Sequence, residues 1–432
     1  MDSIKIKPSK LIGSVVVPPS KSLSHRAIIC ASLCSDGESI INNIALSQDI
    51  QATVEGMKHL GAIINIFENK LCIVRNNKIE QHPLIDCRES GSSLRFLIPV
   101  GIALTSDCSF TGSKKLFERP LDVYYDIFNK QKINYKMNDC ILSIKGNLLW
   151  DNLEIAGNLS SQFISGLLFS LPLLHGDSVI SVTGNFESKK YVDLTIDVLQ
   201  KFGVFIKKIE KVEEIENVKK INNIDETEKK VISFHIPGNQ QYKSCEYTVE
   251  GDYSQAAFFL VANELGNEIK CVGLNNESLQ GDKGIINIIN KFKENSNEIT
   301  IDASQIPDLV PIIAVLATLK ENCTTTITNA QRLRLKESDR LRAVSTEMNK
   351  LGADVTETKD GLIIHGKKTL DGNTRVNSWN DHRIAMSLAI AATKCKNDII
   401  IENYMAVNKS YPDFWEDYRK LGGAVNELND RQ

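Results

Sequence analysis

Apolar positions along this chain keep returning to one pattern: an amphipathic helix, a glycine that ends it, then a strand. Met57-Lys58-His59-Leu60-Gly61-Ala62-Ile63-Ile64 has this form, as do Leu199 to Ile206 around Gly203, Met348 to Val355 around Gly352 and Tyr418 to Val425 around Gly422. In each, residues at helical spacing lead into Gly, which takes the left-handed conformation that closes a helix most easily, and then into a strand-like run. Two degenerate copies lie near Ile127-Phe128-Asn129 and Ile289-Asn290-Lys291-Phe292. A unit of this size cannot bury its own apolar face, so the repetition predicts α/β (α+β) domains assembled from small stacked units. Leu-Gly-Ala is also a common helix exit in any α/β protein, and the pattern alone leaves that plainer reading open.

Length and composition narrow the picture. The 432 residues, 42% of them hydrophobic, exceed what one core usually holds, so two domains are expected. The stretch Pro237 to Ser244 reads as a linker. No run of about 18 uncharged apolar residues occurs, and Met1-Asp2-Ser3-Ile4-Lys5 lacks the apolar core of a signal peptide. A soluble cytoplasmic protein with no membrane partner is expected. Ten cysteines are scattered without a C-x-x-C pair, which predicts buried free thiols and no metal site. The charged run Lys207 to Lys230 reads as a solvated hairpin or extended loop.

Charge placement is more telling than net charge, which is -3. Pro19-Ser20-Lys21-Ser22-Leu23-Ser24-His25-Arg26 sets hydroxyls, a Lys and an Arg ahead of the apolar run Ala27 to Leu33. With Ser20 or Ser22 as cap, free backbone N–H groups and the positive helix end face the same place as the two cations, which suits a phosphate or carboxylate. Read alone, the segment also fits a capped, solvated helix start. Leu335-Lys336-Glu337-Ser338-Asp339-Arg340 and Asn380-Asp381-His382-Arg383 have similar character. Repeated Lys or Arg beside Ser, Gly and a carboxylate in a slightly acidic chain points to small, multiply anionic ligands, and nucleic acid is disfavoured.

These motifs, with Asn408-Lys409-Ser410-Tyr411-Pro412-Asp413-Phe414 near the end, resemble in order and separation the EPSP synthases, which belong to the enolpyruvyltransferases. The resemblance covers nearly the whole chain. It implies a two-domain enolpyruvyltransferase-like fold, each domain three βαβαββ units about a pseudo-threefold axis. One domain would span 20–240 and the other 1–19 with 241–432, facing each other across a cleft that holds the active site. The implied reaction moves the enolpyruvyl group of phosphoenolpyruvate to the 5-hydroxyl of shikimate 3-phosphate by addition and elimination, without cofactor or metal. The implied enzyme is a monomer inhibited by glyphosate.

By the same resemblance, Lys21, Ser22, Arg26, Ser160, Ser161, Gln162, Ser188, Tyr191, Asp308 and Lys336 bind shikimate 3-phosphate. Lys21, Gly91, Arg119, Gln162, Arg340, Arg383 and Lys409 bind phosphoenolpyruvate. The implied catalytic set is Lys21, Asp308, Lys336 and Glu337, with Asp308 as base for the 5-hydroxyl, Glu337 as donor to the methylene carbon and Lys336 assisting. Read without it, Ser160-Ser161-Gln162 is a plain N-cap and Asp308 an ordinary carboxylate at a helix start. His382 reads as an orienter of ion pairs. Arg88, Glu89 and Arg332 depart from the usual family pattern and put fine contacts there in doubt. Two rival readings fit the sequence less well. A sister enzyme acting on UDP-N-acetylglucosamine usually carries a Cys on the loop before Arg119-Pro120, where this chain has none. A non-catalytic anion-binding paralogue would have lost Asp308, Lys336 or Glu337, and all three are present.

Overall fold

The computed structural model describes residues 2–76, 78–214, 228–294 and 296–428. The chain divides into two compact units, one of Met1–Lys21, Ala45–Gln48 and Glu250–Gln432, the other of Ser22–Ile44 and Asp49–Val249. Five four-stranded sheets share one plan. Two strands run parallel, the next is antiparallel to them, and an antiparallel partner closes the edge, a hairpin neighbour in four sheets and Ala424–Leu428 against Ser3–Lys7 in the fifth. Parallel neighbours need a crossover, and in four of the five an apolar helix supplies it; in the fifth the parallel pair, Ser39–Asn42 and Glu246–Thr248, comes from opposite ends of the second unit. In one sheet, for example, Asn152–Ala156 and Ser178–Thr183 are joined through the helix Ser161–Ser170.

The repeat ends as its pattern predicts. Gly61, Gly203, Gly352 and Gly422 have φ of +96°, +77°, +94° and +92° and close the helices Gln48–His59, Lys189–Lys201, Arg340–Lys350 and Phe414–Lys420. Of the degenerate copies, Asp122–Gln131 closes on Lys132 at φ +56°. The other, Ile285–Lys293, ends in extended backbone at Glu294 and meets the strand Glu298–Asp302 almost at once. That leaves no chain for a hairpin, and the sheet of this repeat has only the parallel strands Ile12–Val16 and Glu268–Val272. Of the charged run, Lys207–Glu214 and Glu228–Ile236 pair antiparallel from Lys207↔His235 to Glu214↔Glu228. Residues 215–227 lie outside the described residues.

In the first unit the helices Tyr253–Glu264, Val310–Thr318 and His382–Ala392 pack on one another. The last two are buried along their whole length, as helices apolar on every side must be. In the second, Lys21–Leu33, Gly91–Thr105 and Ser161–Ser170 meet at Phe96. Its ring lies 5.4 Å from that of Phe169 and 6.3 Å from that of His25, and the Arg26 guanidinium stands 5.2 Å above it. The polar motifs occupy the N-terminal ends of these core helices. All ten cysteines are free; Cys140, Cys245 and Cys271 are partly exposed, against the expectation of uniform burial, and the other seven are buried.

Candidate active site

In the first unit, Arg340 is the hub. Its Nε donates to Asp381 (2.8 Å), one terminal nitrogen to Asp308 Oδ1 (2.8 Å) and the other to Glu337 (2.6 Å), so one planar fork serves three carboxylates. Arg383 donates to the Asp308 carbonyl (3.1 Å) and to its Oδ2 (3.2 Å), and Lys336 Nζ stands 3.6 Å from Asp308 Oδ1. Lys409 Nζ donates to the Asn380 carbonyl at 2.5 Å, beside the same turn. Lys21 opens its helix, and its backbone N–H donates to Asp252 (3.0 Å), whose other oxygen caps Tyr253–Glu264.

Helix starts fix these positions. Asp381 caps His382–Ala392 by accepting from the Arg383 N–H and turns its second oxygen to Arg340 and Ser338. Asp339 caps Arg340–Lys350, which aims Arg340 inward. Burial pushes the Asp308 carboxyl up, but Arg383, Lys336 and Arg340 outweigh it and hold it well below the usual carboxylate range. Burial lowers Lys336, with Asp308 opposing. Burial also works against the Arg340 charge, yet Asp381, Glu337 and Asp308 keep its pKa above the ordinary value. Asp282, buried and near Asp308, is raised to about 6.

His382 corrects one expectation. Burial first, then Lys21 and Arg383, hold its pKa well below 6.5, so the ring is neutral. Neither ring nitrogen has a hydrogen-bond partner, and Nδ1 is 4.0 Å from Asp381 Oδ1. A neutral ring at that distance orients no ion pair, and Ser338 and Arg340 hold Asp381 instead.

The second unit gathers another set. Arg26, whose pKa burial lowers to about 10, donates to Thr195 Oγ1 (2.8 Å), the Ser22 carbonyl (2.6 Å) and the Tyr191 carbonyl (2.9 Å). Ser188, at φ +53°, precedes the helix carrying Tyr191. Ser160 caps Ser161–Ser170, and Gln162 on its first turn donates to Ser92 (2.9 Å) while accepting from Arg95 (3.2 Å). A Cβ built on Gly91 would lie 3.0 Å from a nitrogen of Arg119 and from one of Arg95, and 3.7 Å from Gln162 Oε1, so Gly91, Arg119 and Gln162 border one spot.

Arg95 had no sequence assignment, and its support comes from a proline. Pro99 has no N–H to offer the Arg95 carbonyl four residues back, and the Tyr124 hydroxyl donates to it instead. Gly166 lets that carbonyl approach: a Cβ there would sit 2.3 Å from it. Asp252 and Asp381 also build the site without a sequence assignment, though an acid one place before a long apolar run is a readable cap signal. Arg88 stands at φ +51° with its side chain on Gln51 (2.8 Å), and Arg332 donates to the Ser304 carbonyl (2.5 Å). Among the described residues no cluster of His, Cys, Asp and Glu suits a metal.

A family model described as EPSP synthase (3-phosphoshikimate 1-carboxyvinyltransferase) matches residues 6–418. The chain belongs to the EPSP synthase family. It is 50% identical to the 3-phosphoshikimate 1-carboxyvinyltransferase of Clostridium novyi (strain NT), with 99% of each chain covered. It is 48% identical to that of Clostridium kluyveri, again with 99% of each covered. Its fold is similar to that of the EPSP synthase from Acinetobacter baumannii, with a TM-score of 0.77 at 21% identity over 99% of this chain and 100% of the other. The mixed α/β architecture of repeated sheet-helix units is thus that of EPSP synthases.

Proposed function

We propose that this protein transfers the enolpyruvyl group of phosphoenolpyruvate to the 5-hydroxyl of shikimate 3-phosphate, giving 5-enolpyruvylshikimate 3-phosphate and phosphate. Family membership supports the reaction, and one observation carries the chemistry. Asp308 is kept ionised by Arg340, Arg383 and Lys336, so a carboxylate base is in place among cations suited to anionic substrates. Those cations make Asp308 a weak base. Phosphate and carboxylate groups of the substrates share their field on binding, and the affinity of Asp308 for a proton rises accordingly.

The 5-hydroxyl proton passes to Asp308 as the oxygen attacks C2 of phosphoenolpyruvate, and Glu337 protonates C3, giving a tetrahedral intermediate. Lys336, 3.6 Å from Asp308, assists at the hydroxyl. A C3 proton then returns to Glu337 as the C–O bond to phosphate breaks, and the proton held by Asp308 leaves with the phosphate, so both carboxyl groups end as they began. Lys21, Ser22, Arg26, Ser160, Ser161, Gln162, Ser188, Tyr191, Asp308 and Lys336 take shikimate 3-phosphate; Lys21, Gly91, Arg119, Gln162, Arg340, Arg383 and Lys409 take phosphoenolpyruvate. Glyphosate competes at the second set, and the enzyme is a cytoplasmic monomer; both statements rest on the resemblance.

Phosphate release with both substrates tests the assignment. Turnover is expected from the wild type, with losses of orders of magnitude in Asp308→Ala and Lys21→Ala. Wild-type rates in both variants, or turnover of UDP-N-acetylglucosamine in place of shikimate 3-phosphate, overturn it. Unimpaired turnover at saturating glyphosate removes the inhibitor assignment, and sedimentation as a dimer removes the monomer.

A further inference from the structure

A run of buried hydroxyls outside the cation clusters ties His25 to the turn that presents Gly91. His25 Nδ1 lies 2.7 Å from Thr53 Oγ1, Thr53 Oγ1 lies 2.8 Å from Ser93 Oγ, and Ser93 Oγ lies 2.7 Å from Ser90 Oγ. The Ser93 N–H also donates to Ser90 Oγ at 3.1 Å, the capping bond of the helix Gly91–Thr105. All four side chains are buried, on or capping three helices: Lys21–Leu33, Gln48–His59 and Gly91–Thr105.

A hydroxyl gives one hydrogen and accepts two, so this run has a direction. With hydrogen on His25 Nδ1, the ring donates to Thr53, Thr53 to Ser93 and Ser93 to Ser90. Ser90 then accepts twice from Ser93, and its own hydrogen is left to donate outside the run, next to Gly91. With hydrogen on Nε2 alone, Nδ1 accepts from Thr53. Thr53 then no longer donates to Ser93, and the Asp49 carbonyl, 3.3 Å from Ser93 Oγ, competes with Ser90 for the Ser93 hydrogen. The tautomer of one histidine therefore sets whether Thr53 donates toward Ser93 or away from it, and with that how firmly Ser93 is committed to Ser90.

We infer that His25 is a positioning residue for the Gly91 end of the phosphoenolpyruvate site. It acts through Thr53 and Ser93 on the orientation of the Ser90 hydroxyl and the stiffness of the turn. The inference rests on the assignment of Gly91 to that site. The hydroxyls of the run lie on the helix Gln48–His59 and at the Gly91 turn, so cutting the run at Thr53 or Ser93 acts first on the phosphoenolpyruvate end.

Thr53→Val keeps the shape of the side chain and removes both links, while Thr53→Ser retains the hydroxyl. In the phosphate-release assay Thr53→Val should raise KM for phosphoenolpyruvate about fivefold, the worth of one neutral hydrogen bond. KM for shikimate 3-phosphate should stay within about twofold, and Thr53→Ser should restore the first value. His25→Leu should give the same split, and His25→Leu with Thr53→Val should be no worse than either alone, because both cut one path. Ser93→Ala, which removes a single oxygen, repeats the measurement should Val at 53 not fold. Equal rises in both KM values, no change in either, failure of the Ser rescue or additive losses in the double variant each overturn the inference. A wild type without turnover on the two substrates removes the function itself, a different outcome from an active wild type with an unaltered Thr53→Val.

Discussion

Replacing Arg340 by Met keeps much of the side-chain length but deletes the fork that serves Asp308, Glu337 and Asp381. Arg340 is 1% exposed, and removing one partner of a buried ionic group costs about 3–5 kcal/mol. The three carboxylates do not share that cost equally. Asp308 keeps Arg383 and Lys336 and is 21% exposed, and Glu337 is 18% exposed, so both regain water or another cation. Asp381, at 0%, keeps only Ser338 and the Arg383 N–H, so the loss concentrates there and should fall near the lower end, about 3–4 kcal/mol at pH 7.

The loss should also depend on pH. A buried carboxylate deprived of its cation binds a proton that the unfolded chain releases, so the variant gains stability as pH falls, by about 1.4 kcal/mol per unit for each such proton. In the wild type Asp308 sits well below its unfolded value. Its contribution is complete above about pH 4 and is lost only as pH falls through the folded value. The gap between the two proteins should therefore narrow from pH 7 to pH 5. Trp379 and Trp415 belong to the first unit and Trp150 to the second. Urea unfolding followed by tryptophan fluorescence in a Trp150→Phe background thus reports on the unit that contains Arg340. A gap under about 1 kcal/mol at pH 7, or one that is unchanged at pH 5, would refute the reasoning.

Three further outcomes follow from the same structure. Asp282, raised to about 6 by burial and by Asp308, binds a proton in the folded state before the unfolded one does, so it stabilises on acidification through pH 6. Asp282→Asn should be more stable than wild type at pH 8, on the order of 1–2 kcal/mol, with the difference shrinking toward pH 5 in thermal melts. Gly91→Ala should fold, because its new methyl meets side-chain ends and no backbone, Arg119 and Arg95 at 3.0 Å and Gln162 at 3.7 Å, yet shift the two guanidinium groups by a few tenths of an ångström and raise KM for phosphoenolpyruvate; an unchanged KM counts against the assignment. Gly422→Ala meets only the Lys10 carbonyl at 3.7 Å, so its cost should be the left-handed backbone alone, about 1–2 kcal/mol by denaturant titration, and a neutral substitution contradicts that account.

Local physics made part of this legible. Four of six repeat ends could be read because a helix that must close in the left-handed region selects Gly, and all four glycines adopt it. The core helices could be read because an all-apolar segment such as Val310–Thr318 must be buried on every side. Capping likewise announced Ser160. The degenerate copy at Ile285–Lys293 misled only in its ending, since a missing hairpin is a matter of how much chain remains before the next strand.

Other features depend on distance in space, which sequence order does not encode. The neutral state of His382 follows from burial and from Lys21 and Arg383, and nothing in Asn-Asp-His-Arg announces it. Arg95 is held by a tyrosine that stands in for the hydrogen lost at Pro99. The sharing of Arg340 among Asp308, Glu337 and Asp381 joins positions up to 73 apart in the chain. Residue types and their spacing determined the repeated fold and the kind of ligand, because those rest on local conformation and charge. Only tertiary packing decided which carboxylate meets which cation, because Coulomb energy and desolvation depend on separation and burial.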